Sequence, residues 1–166
     1  MIKYKTEAFD FKNEEVLWEN FMCFVRSIIP YEEYWDDLSE CQKNALRVFI
    51  YDADVLGEGH IGFMDLNSEY ISFDDVIKAM EILHISDLYI ENIKNIPAMQ
   101  ISIDSMVDES EDEEAFEAKM NELDELFDVF DNTYYELSRE STEIQDKILM
   151  YLQANIDEFF EFSVYV

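Results

Sequence analysis

Three features of this 166-residue chain predict an all-α fold. Glycine and proline are scarce, with 3 and 2 residues, so few positions break regular structure. Apolar residues recur at steps of three and four rather than in alternation, which is the spacing of one helix face. Hydrophobic residues make up 49% of the chain, and 13 Phe and 10 Tyr can fill a core without metals or disulfides. The length fits one domain over 1–166, a bundle of about six helices with an aromatic-rich core and a strongly acidic surface.

The first helix is expected over about 13–29. Asn13 is its cap, Leu17, Phe21, Phe24 and Ile28 form its inner stripe, and Pro30 lies just past its end. Ser39 with Gln42 is a capping-box pattern, and it opens a helix expected to carry Cys41, Ala45, Phe49 and Ala53 inward. Gly57, Gly59 and Gly62 crowd into what reads as one short loop, and Phe63 follows it. This glycine turn with Phe63 is expected to be a structural corner between helices. Ser72 then caps a helix with Val76, Ile77, Met80 and Leu83, and Ser86 caps another that ends near Pro97. The segment 98–109 is expected to be a connector.

Beyond it, Ser110 with Glu113 is a further capping box. Phe116, Met120, Leu123, Phe127, Phe130, Tyr134 and Leu137 then repeat at steps of four and three, the seam of one long helix. A last helix follows Ser141 with Ile144, Ile148, Leu152, Ile156 and Phe159, and the apolar end "FFEFSVYV" is expected to dock on the bundle.

Charge narrows the function. Forty Asp and Glu face 11 Lys and Arg, a net charge of −29. Neutralising phosphate needs Lys and Arg, so direct binding to nucleic acid or to an anionic membrane is not expected, and a basic partner is. Cys23 and Cys41 are lone thiols, the N-terminus has no apolar leader core, and no stretch is long enough to span a bilayer. A cytoplasmic protein, monomeric or homodimeric, is expected.

No catalytic or metal constellation emerges, and no cofactor is expected. A calcium loop starting at Asp52 would have Asp54 at position three and Gly57 at six. It then fails, with Leu56 at five and Phe63 in place of the bidentate Glu at twelve. The helical spacing also puts Asp52 and Asp54 on a helix. His60 and His84 have no companion at metal-ligand spacing, and the glycines follow a helix rather than a strand, unlike a phosphate-binding loop. Enzymatic activity is not expected.

The remaining signal is the acidic helix. From Asp104 to Asp146 there are 17 acids against Lys119 and Arg139. With the apolar seam inward, Glu114, Glu117, Asp124, Asp128 and Asp131 would line one flank over roughly 25 Å. DNA carries one charge per about 1.7 Å of axis, so the flank spans several base pairs. A merely solvated face would show the same spacing.

The stretches "VFIYDADVLGEGHIGFMDLNSEYISFDDVIKAMEIL", "ELDELFDVFDNTYYEL" and "ILMYLQANIDEFFEF" resemble a bacterial family long labelled as of unknown function, whose named member is a small DNA-mimic protein. The likeness runs in order over about 38–162. It rests on Asp54-Val55, Gly57 to Gly62, Phe63, Asn67, Val76 to Leu83, Asp131 to Leu137, and Tyr151 to Phe160. Two departures are Gly57-Glu58-Gly59 with His60, where the family reads Asn-Gly-Gly, and the absence of the usual Gln before the aromatic pair. They leave the helical fold implied and the turn without an implied role.

The resemblance implies an all-helical protein whose acidic surface imitates the DNA backbone toward a basic DNA-binding regulator or nucleoid protein. The expected phosphate surrogates are Glu111, Asp112, Glu113, Glu114, Glu117, Asp124, Asp128 and Asp131. The alternatives are an immunity protein or antitoxin that neutralises a basic nuclease, and an acidic helical interaction module without DNA mimicry.

Overall fold

The computed structural model describes residues 2–67, 69–94, 96 and 113–163, and for 113–120 and 122–124 the backbone alone. It is mostly helical, with eight α-helices among the described residues. The expected connector over 98–109 lies outside the described residues, as do Ser110, Glu111 and Asp112.

Helix α1 (Glu14–Ser27) starts where the Asn13 side chain accepts the Val16 N–H, and it buries Leu17, Phe21 and Phe24. A short helix α2 (Tyr31–Tyr34) and a 3-10 turn over 35–37 follow, setting Trp35 against the core.

Helix α3 (Glu40–Asn67) opens with the expected capping box. The Ser39 N–H donates to Gln42 Oε1 at 2.9 Å, and the Gln42 N–H donates to Ser39 Oγ at 3.3 Å. Two expectations are corrected here. The glycines form no loop: α3 continues through them, broken at Gly59 alone, where φ is 72° and ψ is −178°. Its inner face also drifts from the expected four-residue stripe: Ala45 is buried as expected and Cys41 and Phe49 are half-buried against the core, but Ala53 is exposed, and Leu46, Val48, Tyr51 and Val55 are buried as well. Each four-residue step overshoots a turn by about 40°, so a stripe begun at Cys41 has swung roughly 120° by Ala53.

Helix α4 (Phe73–Ile82) has a full capping box between Ser72 and Asp75 and buries Val76, Ala79 and Met80. It ends with His84 in the left-handed region, φ 56°, and the Ile85 N–H donating to the Met80 carbonyl at 3.0 Å, a Schellman ending. Helix α5 (Asp87–Ile93) ends short of Pro97, and Ser86 does not cap it. The Ser86 backbone N–H donates instead to Glu143 Oε1 at 2.6 Å.

Helix α6 (Glu113–Ser138) is the long acidic helix. It packs between α3 and α5 with Phe127 and Tyr134 buried. Helix α7 (Glu143–Ala154) buries Ile144, Ile148, Leu149 and Leu152, and α8 (Ile156–Phe159) drives Phe159 between Phe21 and Phe24 of α1. Side chains from α1, α3, α4, α5, α6 and α7 share one hydrophobic cluster.

The all-α expectation needs one correction. The expected docking end forms strand β2 (Phe160–Phe162), parallel to β1 (Tyr4–Thr6) with Tyr4 opposite Phe160. Strands of three residues leave no readable alternation, and partners more than 150 positions apart leave no local signal. Fully buried Gln42 ties this pair to the start of α3, its Nε2 donating to the carbonyls of Ile2 and Glu158.

Candidate functional site

The Gly59 break turns the α3 backbone so that the His60 N–H points at α6 and donates to Asp131 Oδ1 at 2.9 Å. The His60 ring Nδ1 meets the same oxygen. On the far side of the ring, the Tyr51 hydroxyl lies 2.7 Å from Nε2. A neutral imidazole that donates from Nδ1 to the carboxylate and accepts the Tyr51 proton at Nε2 satisfies all three groups.

Burial, then the charges of Asp131 and Asp52, push the Tyr51 hydroxyl well above its ordinary range, so it remains a donor at neutral pH. The order Tyr, His, Asp resembles a catalytic relay. However, His60 and Tyr51 are fully enclosed, and the arrangement acts as a tie between helices.

Further polar ties clamp α6 on both sides. Toward α3, the Tyr134 hydroxyl donates to Asp52 at 2.6 Å and the Tyr135 hydroxyl to the Val55 carbonyl at 3.2 Å. Toward α5, Asn92 donates to the Phe130 carbonyl at 3.1 Å and the Tyr89 hydroxyl to the Leu137 carbonyl at 3.0 Å. Burial pushes the Asp52 carboxyl upward, and the Tyr134 bond offsets this only in part. Asp54 is likewise pushed up by burial and held in part by Asn67, whose Nδ2 donates to it at 2.7 Å. Both acids sit on helix α3 and are engaged within the fold. Among the described residues, no three His, Cys, Asp or Glu side chains gather where a metal ion could sit. No described helix is long and apolar enough to cross a membrane.

The glycine corner is structural at Gly59 and Phe63. A Cβ on Gly59 would lie 2.5 Å from Asp131 Oδ2, so the carboxylate can approach only a glycine. Phe63 is buried edge-on against Tyr51, ring centroids 5.2 Å apart. A Cβ on Gly62 would meet that of Glu58 at 2.3 Å, whereas a Cβ on Gly57 would face open space.

Of the acids expected to imitate phosphates, Glu111 and Asp112 lie outside the described residues. Glu113, Glu114, Glu117 and Asp124 sit on α6, where the backbone alone is described. Asp128 is exposed as expected. Asp131 is corrected: only 19% of its side chain is exposed, and it is engaged by His60. The helical wheel already contained this result, because Asp131 lies about 40° from the direction of Phe127, within the inward arc. Sequence reasoning missed Glu125 and Glu136. Both are exposed on the outer face and, with Asp128, make no hydrogen bond or ion pair with the described residues.

No curated protein and no solved structure matches the chain. The family described as DMP19-like protein matches residues 36–155, from the 3-10 turn through α7. That match takes in the Gly59 corner, the clamped acidic helix and most of the core, and the chain belongs to the DMP19-like protein family.

Proposed function

We propose that this protein binds a basic DNA-binding protein by presenting carboxylates in place of backbone phosphates, and so competes with DNA. The observation that carries this reading is an acidic helix held on two sides by part-buried ties, whose outward acids Glu125, Asp128 and Glu136 form no ion pair with the described residues. Carboxylates fixed on a rigid element imitate a fixed phosphate array better than mobile ones, because less side-chain and backbone freedom is lost on binding. The net charge of −29 supports the same reading, as does the resemblance of the sequence to a family whose named member is a DNA-mimic protein.

The test replaces Glu125 and Glu136 with Gln and Asp128 with Asn in the full chain. A partner captured at low salt is loaded with labelled duplex, and release of the duplex is followed as protein is added. The parent should displace DNA in proportion to its concentration and the triple variant markedly less, with circular dichroism unchanged. Equal displacement by both would make the outer acids a solvated surface. Inhibition of a nuclease partner without DNA release would establish the immunity alternative in its place.

A further inference from the structure

The outer face of α6 is not uniformly polar. Leu126 is 48% and Val129 67% exposed, and Thr133 continues the same stripe one turn on. The Thr133 hydroxyl donates back to the Val129 carbonyl at 2.8 Å. These residues contribute little to the core. Nor does the helix itself favour two of them, since exposed Val and Thr are poorer helix formers than Ala by roughly half a kcal/mol each. The stripe runs beside Glu125, Asp128 and Glu136, and the described side chains of α6 include no cation.

We propose that Leu126 and Val129 form the apolar centre of the partner contact, and that its occupant is a basic amphipathic helix carrying apolar side chains between its lysines and arginines. This rests on the basic-partner reading above and adds to it. Charge complementarity selects the occupant: a second copy would bring another −29 and the same acids against these acids, whereas a basic helix would bring cations to them. The arrangement also parallels the DNA major groove, where thymine methyl groups lie between rows of phosphates and a reading helix touches both. Leu126 and Val129 stand in for the methyl groups of the groove floor, and the flanking carboxylates for its phosphates.

The test uses the full chain and two synthetic peptides of identical Lys, Arg, Leu and Ala content. One places its leucines at i, i+3, i+4 and i+7 between cations, and the other disperses them around the helix. Binding is measured by fluorescence anisotropy from about 0.1 M to 1 M salt, a range over which the Debye length falls from about 10 to 3 Å. The striped peptide should bind about tenfold more tightly than the dispersed one at the high-salt end, equivalent to roughly 1.4 kcal/mol. Replacing Leu126 and Val129 together by Gln should erase that difference. Equal loss of both peptides with salt, or a double variant that binds like the parent, would overturn the apolar centre while leaving an electrostatic contact standing. If neither peptide binds at low salt, the basic-partner reading falls with it.

Discussion

Gly59 occupies a backbone region that residues with a Cβ scarcely enter, and a Cβ there would lie 2.5 Å from Asp131 Oδ2. Gly59→Ala should therefore lose about 2–3 kcal/mol or more, from backbone strain and the displaced carboxylate together. Gly57→Ala, in an exposed helical turn with nothing near its Cβ, should instead gain about 0.4–1 kcal/mol. Urea unfolding of the two variants checks this, and a neutral Gly59→Ala would mean that α3 can run straight past α6. Asp52 gives a second expectation, in pH. Burial raises its folded pKa above the unfolded value, near about 3.9, so the folded chain holds the proton more tightly. Its contribution to stability is complete below the unfolded value and is lost as pH rises through the folded one. Asp54 has the same sign. Asp75 has the opposite: burial pushes it up, but its bonds to Ser72 prevail and lower it, so its contribution is lost as pH falls. Asp52→Asn keeps an acceptor for Tyr134 and removes the titration. It should melt above the parent at about pH 7, and the gap should close toward about pH 4. A gap independent of pH would refute this account of Asp52.

At the scale of elements, capping chemistry was legible at three helix starts, though not at Ser86, and side-to-side ties were not. Asn13, the Ser39–Gln42 box and the Ser72 cap act within three residues, so their partners can be read locally, and each bonds as expected. Gln42 shows where local reading stops. Its amide oxygen completes the box, but its nitrogen reaches the carbonyls of Ile2 and Glu158, 40 and 116 positions away. Gln42→Ala should remove the box and take the Gln42 donor from two half-buried carbonyls, at a cost of about 2–4 kcal/mol. Ser39→Ala, which removes only its half of the cap, should cost about 1 kcal/mol. Thermal unfolding of both separates the roles, and equal losses would show that Gln42 acts as a cap alone. The same limit explains Asp131. Its acidity pointed outward, while its wheel position and the His60 N–H, supplied 71 residues away, turned it inward.

For the whole molecule, a charge of −29 repels itself, and the core must offset that repulsion. Stability should rise as salt screens it, so the melting temperature should increase between about 0.01 M and 0.5 M sodium chloride. A flat response would show that the acids are spaced widely enough for their repulsion to matter little. The sequence by itself determined the helical architecture, the aromatic seams, the acidic balance and the family likeness, because each is a property of composition or of neighbours within a turn or two. Tertiary structure alone decided the paired strands, the passage of α3 through its glycines, and which acids stay exposed. Those depend on contacts across the chain: Tyr4 with Phe160, Gly59 with Asp131, Tyr134 with Asp52. An acid's role is set by whether a distant donor reaches it. His60 reaches Asp131, and no described donor reaches Asp128 three residues earlier.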